Sequence, residues 1–593
     1  MPAAAPTSGN DRLPVAAVCL LWAATAAAVA LMRWANLDDA FASPDNAMRL
    51  AEVRAFLAGA PWFDPHEARL DPPFGYDTHW SRLLDGGIAG LIVMFRQFTT
   101  PDLADRLARC VWPLLLSGPA VIACYASALR LGGAGAGRAT LIGTLLALLM
   151  IPGIFVPGEI DHHNAQVTLT LVMIACVLWS GDSPRFAAAA GIAGGLLLGV
   201  GLEAAALLVA VAAVLAMLFV WDARWRAPVR AFALSLAGAT ALAYGALTPA
   251  AFRFVPMCDE LGVNTAAAVI AGSLGLALVA SLGGAWTRTR RLAATVVTGA
   301  GALAVFVAFE PRCLKGPFAL VDPAIMPLWL NNVREVQSIV ALIRGLGADG
   351  LVQFAFPCVV ILSALLVIRR EVATPLAWAA LAALAVATVI AAGTVRMTMY
   401  VVWLGMPFVG AAVSALSERT PRPVLARMGG AALASQPVVS LLVIWAAAVA
   451  AAPIGKAASA KDEPLWARDA SACFRPDIYR PVAALPPGLV FGPLELGPSL
   501  LAFTPHGVAG AAYHRADKSI VFEEEVMRGS ARAARARLHE RGVAYVMTCA
   551  DFPAYPNPDS FYNALLADAA PAWLEPVPLP DGNALRVWRV SER

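Results

Sequence analysis

Apolar runs of about 20 residues recur along this chain as far as residue 453, and a helix of that length crosses the hydrocarbon core of a bilayer. No other feature narrows the fold as much. A helix satisfies its own backbone groups in lipid, whereas a lone strand or irregular loop does not. Of 593 residues, 59% are hydrophobic and 14% are charged, against about 45–50% and 25% in soluble domains. One water-soluble core cannot hold that surplus. The reading is a polytopic α-helical membrane protein.

Spans are expected near 15–34, 109–129, 138–157, 164–180, 186–200, 202–220, 229–249, 263–283, 292–309, 350–368, 374–392, 397–416 and 437–453, about 13 transmembrane helices. The first run, from about Leu13, lacks a small-residue cleavage site and reads as a retained span. Gly86–Phe95 is apolar but too short to cross, and reads as a re-entrant or interfacial helix. With it excluded, the arginine clusters at 130/138, 185, 224–230, 288–291, 369–370 and 419–427 fall on one side. Short positively charged loops face the cytoplasm. The N-terminus is then cytoplasmic, and residues 35–108, 306–349 and the tail 454–593 are periplasmic, in a bacterial-type inner membrane.

The tail reads as a separate α/β domain: strands at Leu489–Phe491, Leu500–Phe503, Val543–Thr548 and Ala584–Val590, and one charged helix over Glu523–Arg541. Cys473 with Cys549 and Cys258 with Cys313 are candidate pairs in an oxidising compartment, or free thiols. The nine cysteines show no CxxC spacing, and a net charge of +3 gives no reason to expect nucleic acid.

The polar residues on the periplasmic side are unusual in kind. Asp38, Asp39 and Asp45 follow the first span, a set that suits a hard divalent cation or a solvated, capped helix start. His66, His79, Trp80 and Arg82 follow, with aromatic rings suited to a membrane interface or to sugar stacking. The turn Glu159, Asp161, His162, His163, Asn164 stands between two long apolar helices, where ionisable groups are costly. Mixed carboxylate and imidazole ligands suit Mn²⁺ or Mg²⁺. Glu335 follows Val333-Arg334, and Arg396 precedes Tyr400 at the start of a span. An arginine there holds a phosphate or snorkels to the surface. Glu203, in a short turn between helices, is assigned no chemistry.

In that order these motifs resemble the catalytic subunit of oligosaccharyltransferases, within the GT-C fold of polyprenyl-dependent glycosyltransferases. Pro44-Asp45-Asn46 resembles the first acidic motif and Asp161-His162-His163 the second. Val333-Arg334-Glu335 resembles the short motif ending in glutamate, and Arg396 the arginine that contacts the lipid-linked phosphate. The Trp-Trp-Asp-Tyr-Gly signature of the family's terminal domain is not found; Gly492–Ser499 stands at a comparable place without the tryptophans. The resemblance implies a metal-dependent, inverting transfer of a sugar or glycan from a polyprenyl-(pyro)phosphate donor. It implies Asp45, Asp161 and His163 as metal ligands, Asp45 and Glu335 as catalytic groups, and Arg396 at the donor phosphate. His162, Glu159, Asn164, His79, Trp80, Arg82 and Tyr400 would lie in a second shell or against substrate. The acceptor is a protein, a lipid or a polysaccharide. A transporter of envelope precursors and a non-catalytic scaffold are the readings of other classes.

Overall fold

The structure is a computed structural model that describes residues 12–151, 153–346, 348–369, 374–451, 470–552 and 554–591. Long apolar helices make up its first three quarters. By length and composition, seven are able to cross a membrane, or eight if the pair Pro423–Leu433 and Gln436–Ala447, bent by 62°, counts as one span. Four more apolar helices, His163–Trp179, Pro184–Val200, Ala205–Trp221 and Ala377–Gly393, have 17 residues each. The helix Arg288–Phe309 has no buried residue in its most apolar stretch. It packs on Val263–Leu282 and leaves the rest of its apolar surface uncovered, which is suited to lipid.

The expected spans 109–129 and 138–157 belong to one stretch, Pro101–Met150, interrupted at Gly132 and Gly133. Gly133 has φ +74° and ψ −166°, a conformation open only to glycine. The break turns one 50-residue stretch into two packed helices. The short apolar run expected at Gly86–Phe95 lies within an amphipathic helix, Arg82–Arg96, capped by the Ser81 hydroxyl.

The tail carries the larger of two sheets. Strands β1 (His66–Glu67) and β2 (Tyr76–Asp77) form a ribbon in the first polar segment. Strands β3 (Leu489–Phe491), β4 (Gly507–Val508), β5 (Val543–Cys549), β6 (Leu574–Val577) and β7 (Leu585–Val590) form a mixed sheet in the order β4-β3-β5-β7-β6. Two expectations fail here. Leu500–Phe503 is not a strand but the end of the helix Gly497–Phe503; Pro498 in its first turn presets the helical φ, and the apolar run was too short to tell the two apart. The single helix expected over Glu523–Arg541 is two, Asp517–Arg528 and Ala531–Glu540. Gly529 ends the first, and the Ser530 hydroxyl caps the second by accepting from the Ala533 amide. Both candidate cysteine pairs, Cys258–Cys313 and Cys473–Cys549, are disulfides.

The polar segments gather at one end of the bundle. Phe41, Leu70, Tyr76 and Trp80 of the first segment share a core with Tyr479, Leu496, Val508 and Tyr513 of the tail. Ile325, Trp329 and Leu330 of the 306–349 segment pack against Leu494 and Ile520 of the tail. Asp259, beside the Cys258–Cys313 disulfide, accepts from both Arg515 and His514 of the tail, at 2.7 Å each.

Candidate active site at the polar end of the bundle

The turn that carries Asp161 is held against the helix Pro44–Leu57 by one side chain. Asn46 accepts from the amides of Ile160 and Asp161 at 2.8 and 3.2 Å, and its amide group donates to the Ala40 carbonyl and the Glu159 carboxylate. Gly158 makes the approach close. It has φ +102°, and a β-carbon there would stand 2.5 Å from the Leu37 carbonyl oxygen. The first and second acidic motifs thus meet although more than 100 residues separate Asn46 from Asp161.

At this junction the ligand atoms of Asp161, His162 and His163 lie within 4.8 Å of one another, and all three residues are buried. His162 faces Asp161 through Nδ1 at 2.6 Å and Glu203 through Nε2 at 3.3 Å. His163 faces Glu203 through Nδ1 and Asp161 through Nε2, both at 3.2 Å. Glu203 also accepts from Arg396 Nη1 at 2.9 Å and from the Tyr400 hydroxyl at 3.4 Å. Arg396 turns its other edge to Glu335, with Nε at 2.8 Å and Nη2 closer still.

Burial opposes ionisation of Asp161, but the imidazoles of His162 and His163 hold its carboxyl well below the ordinary range. Burial opposes charge on His162 as well, and the carboxylates of Asp161 and Glu203 raise it to about 10. Asp45 is half-buried. Burial, then the charges of Asp161 and Glu335, push it up to about 7. Glu159 rises to about 7 through burial and the charge of Asp161. Such a crowd of carboxylates favours a cation among them.

The remaining expected residues divide. Asn164 is buried beside the turn and donates to the Glu159 carbonyl. Trp80 stands 6.4 Å from the His162 ring, centroid to centroid, and lies under the Arg49 guanidinium at 4.4 Å. His79 is drawn the other way, its ring tilted at 57° to that of His514 of the tail, 4.6 Å between centroids. Arg82 is bound to Asp85 at 3.0 Å and to the Asp64 carbonyl. Asp38 is taken up by Arg106 and Arg109, at 3.0 and 2.8 Å. Gly492–Ser499 lies in the tail, where it runs from the end of β3 into the helix Gly497–Phe503. Glu203 is the residue that sequence reasoning passed over. Its signal was present: it is the only ionisable group between Arg185 and Asp222, and charges inside apolar stretches are rare without function.

A small cavity of about 50 Å³ opens beside the site between the first polar segment, the ends of helices Pro184–Val200 and Arg226–Leu247, and the tail. Trp62, Trp80, His79, Arg82, Glu260 and Arg515 supply its aromatic and charged lining.

No protein-family model matches the chain, and no curated protein matches its sequence. Solved structures do. The oligosaccharyltransferase of the archaeon Archaeoglobus fulgidus in its apo form is similar with a TM-score of 0.64 at 14% identity, over 95% of this chain and 73% of that one. The same organism's oligosaccharyltransferase AglB, in complex with an inhibitory peptide and a dolichol-phosphate, is similar with a TM-score of 0.58 at 13% identity, over 85% and 65%. A third structure, that enzyme with Zn and sulfate, has a TM-score of 0.54 at 14% identity, over 93% and 69%. The chain thus spans about two thirds of the AglB length in the dolichol-phosphate complex. At these identities the likeness shows the fold: the chain is built as a GT-C membrane protein with a sheet-containing C-terminal region.

Proposed function

We propose that this protein is a membrane glycosyltransferase that moves a sugar or glycan from a polyprenyl-phosphate-type donor to an acceptor, on the periplasmic face. One observation carries the reading. Asp161, His162, His163, Glu203, Glu335 and Arg396 come from four separate stretches and bond to one another at the polar end of a GT-C bundle. Asp45 completes the set from a fifth stretch. The Cys258–Cys313 and Cys473–Cys549 disulfides support an oxidising location for that end.

In the transfer, the bond between the anomeric carbon and the donor phosphate oxygen breaks. A new bond to an acceptor oxygen or nitrogen forms from the opposite side, so the configuration inverts. Negative charge grows on the departing phosphate, and Arg396 is the guanidinium placed to receive it. The acceptor loses a proton as it attacks. Asp45, held near a pKa of 7, is suited to take it, and Glu335 is the second candidate. Asp161 and His163, with His162 or Asp45, have the donor chemistry to hold Mn²⁺ or Mg²⁺. A bound ion there would supply Lewis-acid stabilisation of the leaving phosphate.

Without the tryptophan signature, the acceptor reading inclines to a lipid or polysaccharide hydroxyl over a protein asparagine. The test is mass spectrometry of envelope glycans, lipids and proteins from a deletion strain carrying the gene back as wild type, Asp45→Ala, Asp161→Ala or Glu335→Ala. Loss of one glycan class in all three variants, with normal membrane levels of protein, supports the reading. A full glycan profile in Asp161→Ala removes it.

A further inference from the structure

Tyr513 carries a phenol from the tail to the edge of the site. It belongs to a strip, Tyr513-His514-Arg515, that the tail sets against the bundle. His514 and Arg515 fasten the strip to Asp259, and Arg515 also reaches Glu260 at 3.1 Å. With its neighbours so held, the Tyr513 ring stands edge-on to Trp80 at 5.4 Å and tilted against Tyr76 at 5.6 Å. Trp80 is the ring that borders His162.

The Tyr513 hydroxyl is closed off from solvent and has no hydrogen-bond partner among the described residues. A buried hydroxyl in that state costs free energy, and one kept in a native structure points to a group that completes it. Elsewhere in the tail the hydroxyls of Tyr479, Tyr545 and Tyr555 bond to Cys473, Pro486 and Glu524. Tyr562 also lacks a partner among the described residues, but it lies in the tail's own apolar core. Tyr513 lies where carboxylates gather. Burial, then the charge of Asp45, with those of Glu52 and Asp161 behind it, hold its proton on well above the usual phenol range. It is a fixed donor beside the proposed base.

A ligand atom between the two must accept from the phenol and donate to the carboxylate. An alcohol oxygen does both at once. An amide nitrogen only donates, because its lone pair is delocalised into the carbonyl. A site built around a hydroxyl rejects a group that leaves the site's own donor unpaired.

We infer that Tyr513 contacts the acceptor, donating to the attacking oxygen and selecting a hydroxyl over an amide. The inference rests on the glycosyltransferase reading and deepens it by naming the acceptor class. In the step, the acceptor O–H proton passes to Asp45 and an oxygen lone pair forms the bond to the anomeric carbon. The bond from that carbon to the donor phosphate oxygen breaks, and its electron pair leaves on the phosphate. Tyr513 keeps its proton throughout.

Tyr513→Phe removes the hydroxyl and keeps the ring against Trp80 and Tyr76, and two readouts separate a substrate contact from a structural one. The first is the thermal midpoint of the purified full-length protein in nanodiscs. The second is the initial rate at which the missing glycan reappears when the gene is induced in the deletion strain, with its linkage identified by mass spectrometry. Tyr562→Phe is the reference and is expected to change neither. Tyr513→Phe is expected to leave Tm unchanged or higher and to slow reappearance by about tenfold or more. The wild-type product is expected on an oxygen. A fall in Tm of more than about 2 °C marks a hydroxyl already satisfied, by protein or by a resident water, and overturns the inference. So does a rate within about threefold of the wild type, or a glycan on an asparagine nitrogen. Each of these leaves the glycosyltransferase reading standing. If the wild-type gene restores no glycan, both fall.

Discussion

Glu203 receives hydrogen bonds from His162, His163, Arg396 and Tyr400. Through the His163 Nδ1 contact it fixes which ring nitrogen is turned to Asp161. A carboxylate behind a ligating imidazole sets ring orientation and basicity, and losing such a partner costs about 10–100-fold in metal affinity. Glu203→Gln is therefore expected to weaken Mn²⁺ binding, measured by calorimetry, by about that factor. A second residue-scale prediction concerns Glu52, fully surrounded by Arg49, Asp85 and Thr78. Burial, then the charge of Asp85, raise it to about 8 from an ordinary 4.5. Its contribution to stability is full below the unfolded value and is lost as pH rises through about 8. Glu52→Gln should flatten the decline in Tm between about pH 5 and 8 and leave Tm below about pH 4 unchanged. A decline of the same size in the variant would assign it to another group. At this scale the acidic and basic motifs were legible because each breaks an apolar background. The assignments of His79 and Arg82 were not: His79 meets His514 through a tertiary contact, and Arg82 is taken up by Asp85, three residues on in its own helix, and by the Asp64 carbonyl.

Helix positions were read well and helix interruptions poorly. Hydropathy marks where a span lies, but the break inside Pro101–Met150 depends on the φ of one glycine. Gly133→Ala is expected to cost about 1–3 kcal/mol, read as a fall in thermal midpoint in detergent, since a β-carbon is disfavoured in that conformation. Gly143→Ala, in the same stretch with open space around it and an ordinary φ, should be neutral or stabilising. In the tail, β3, β5 and β7 followed from alternating apolar residues, whereas the seven-residue helix Gly497–Phe503 carries too short a pattern to be told from a strand. The Cys473–Cys549 disulfide ties the start of the tail to β5 across 76 residues. Replacing both cysteines by serine should lower the tail's stability by about 2–5 kcal/mol. Its unfolding in urea, followed by tail tryptophan fluorescence, checks this.

Across the whole molecule, three polar segments far apart in sequence close over one end of an apolar bundle. Arginine placement gave the reason they share a side, and their packing against one another is the structural counterpart of that argument. The count of about 13 spans is a finer matter: 17-residue helices sit at the lower limit of what crosses a bilayer, so length and composition alone certify seven or eight. The site faces the tail, the first polar segment and the 306–349 segment together. That arrangement suits an enzyme joining a membrane-anchored donor to an acceptor in water. The most direct test is donor consumption by the purified protein in nanodiscs, supplied with a pool of polyprenyl-linked sugars and followed by mass spectrometry. The account predicts loss of one donor and appearance of the free polyprenyl phosphate, abolished by EDTA, restored by Mn²⁺ or Mg²⁺, and absent in Asp161→Ala. Donor turnover unaffected by EDTA and by Asp161→Ala, or flux of intact donor between leaflets without any cleavage, would contradict it.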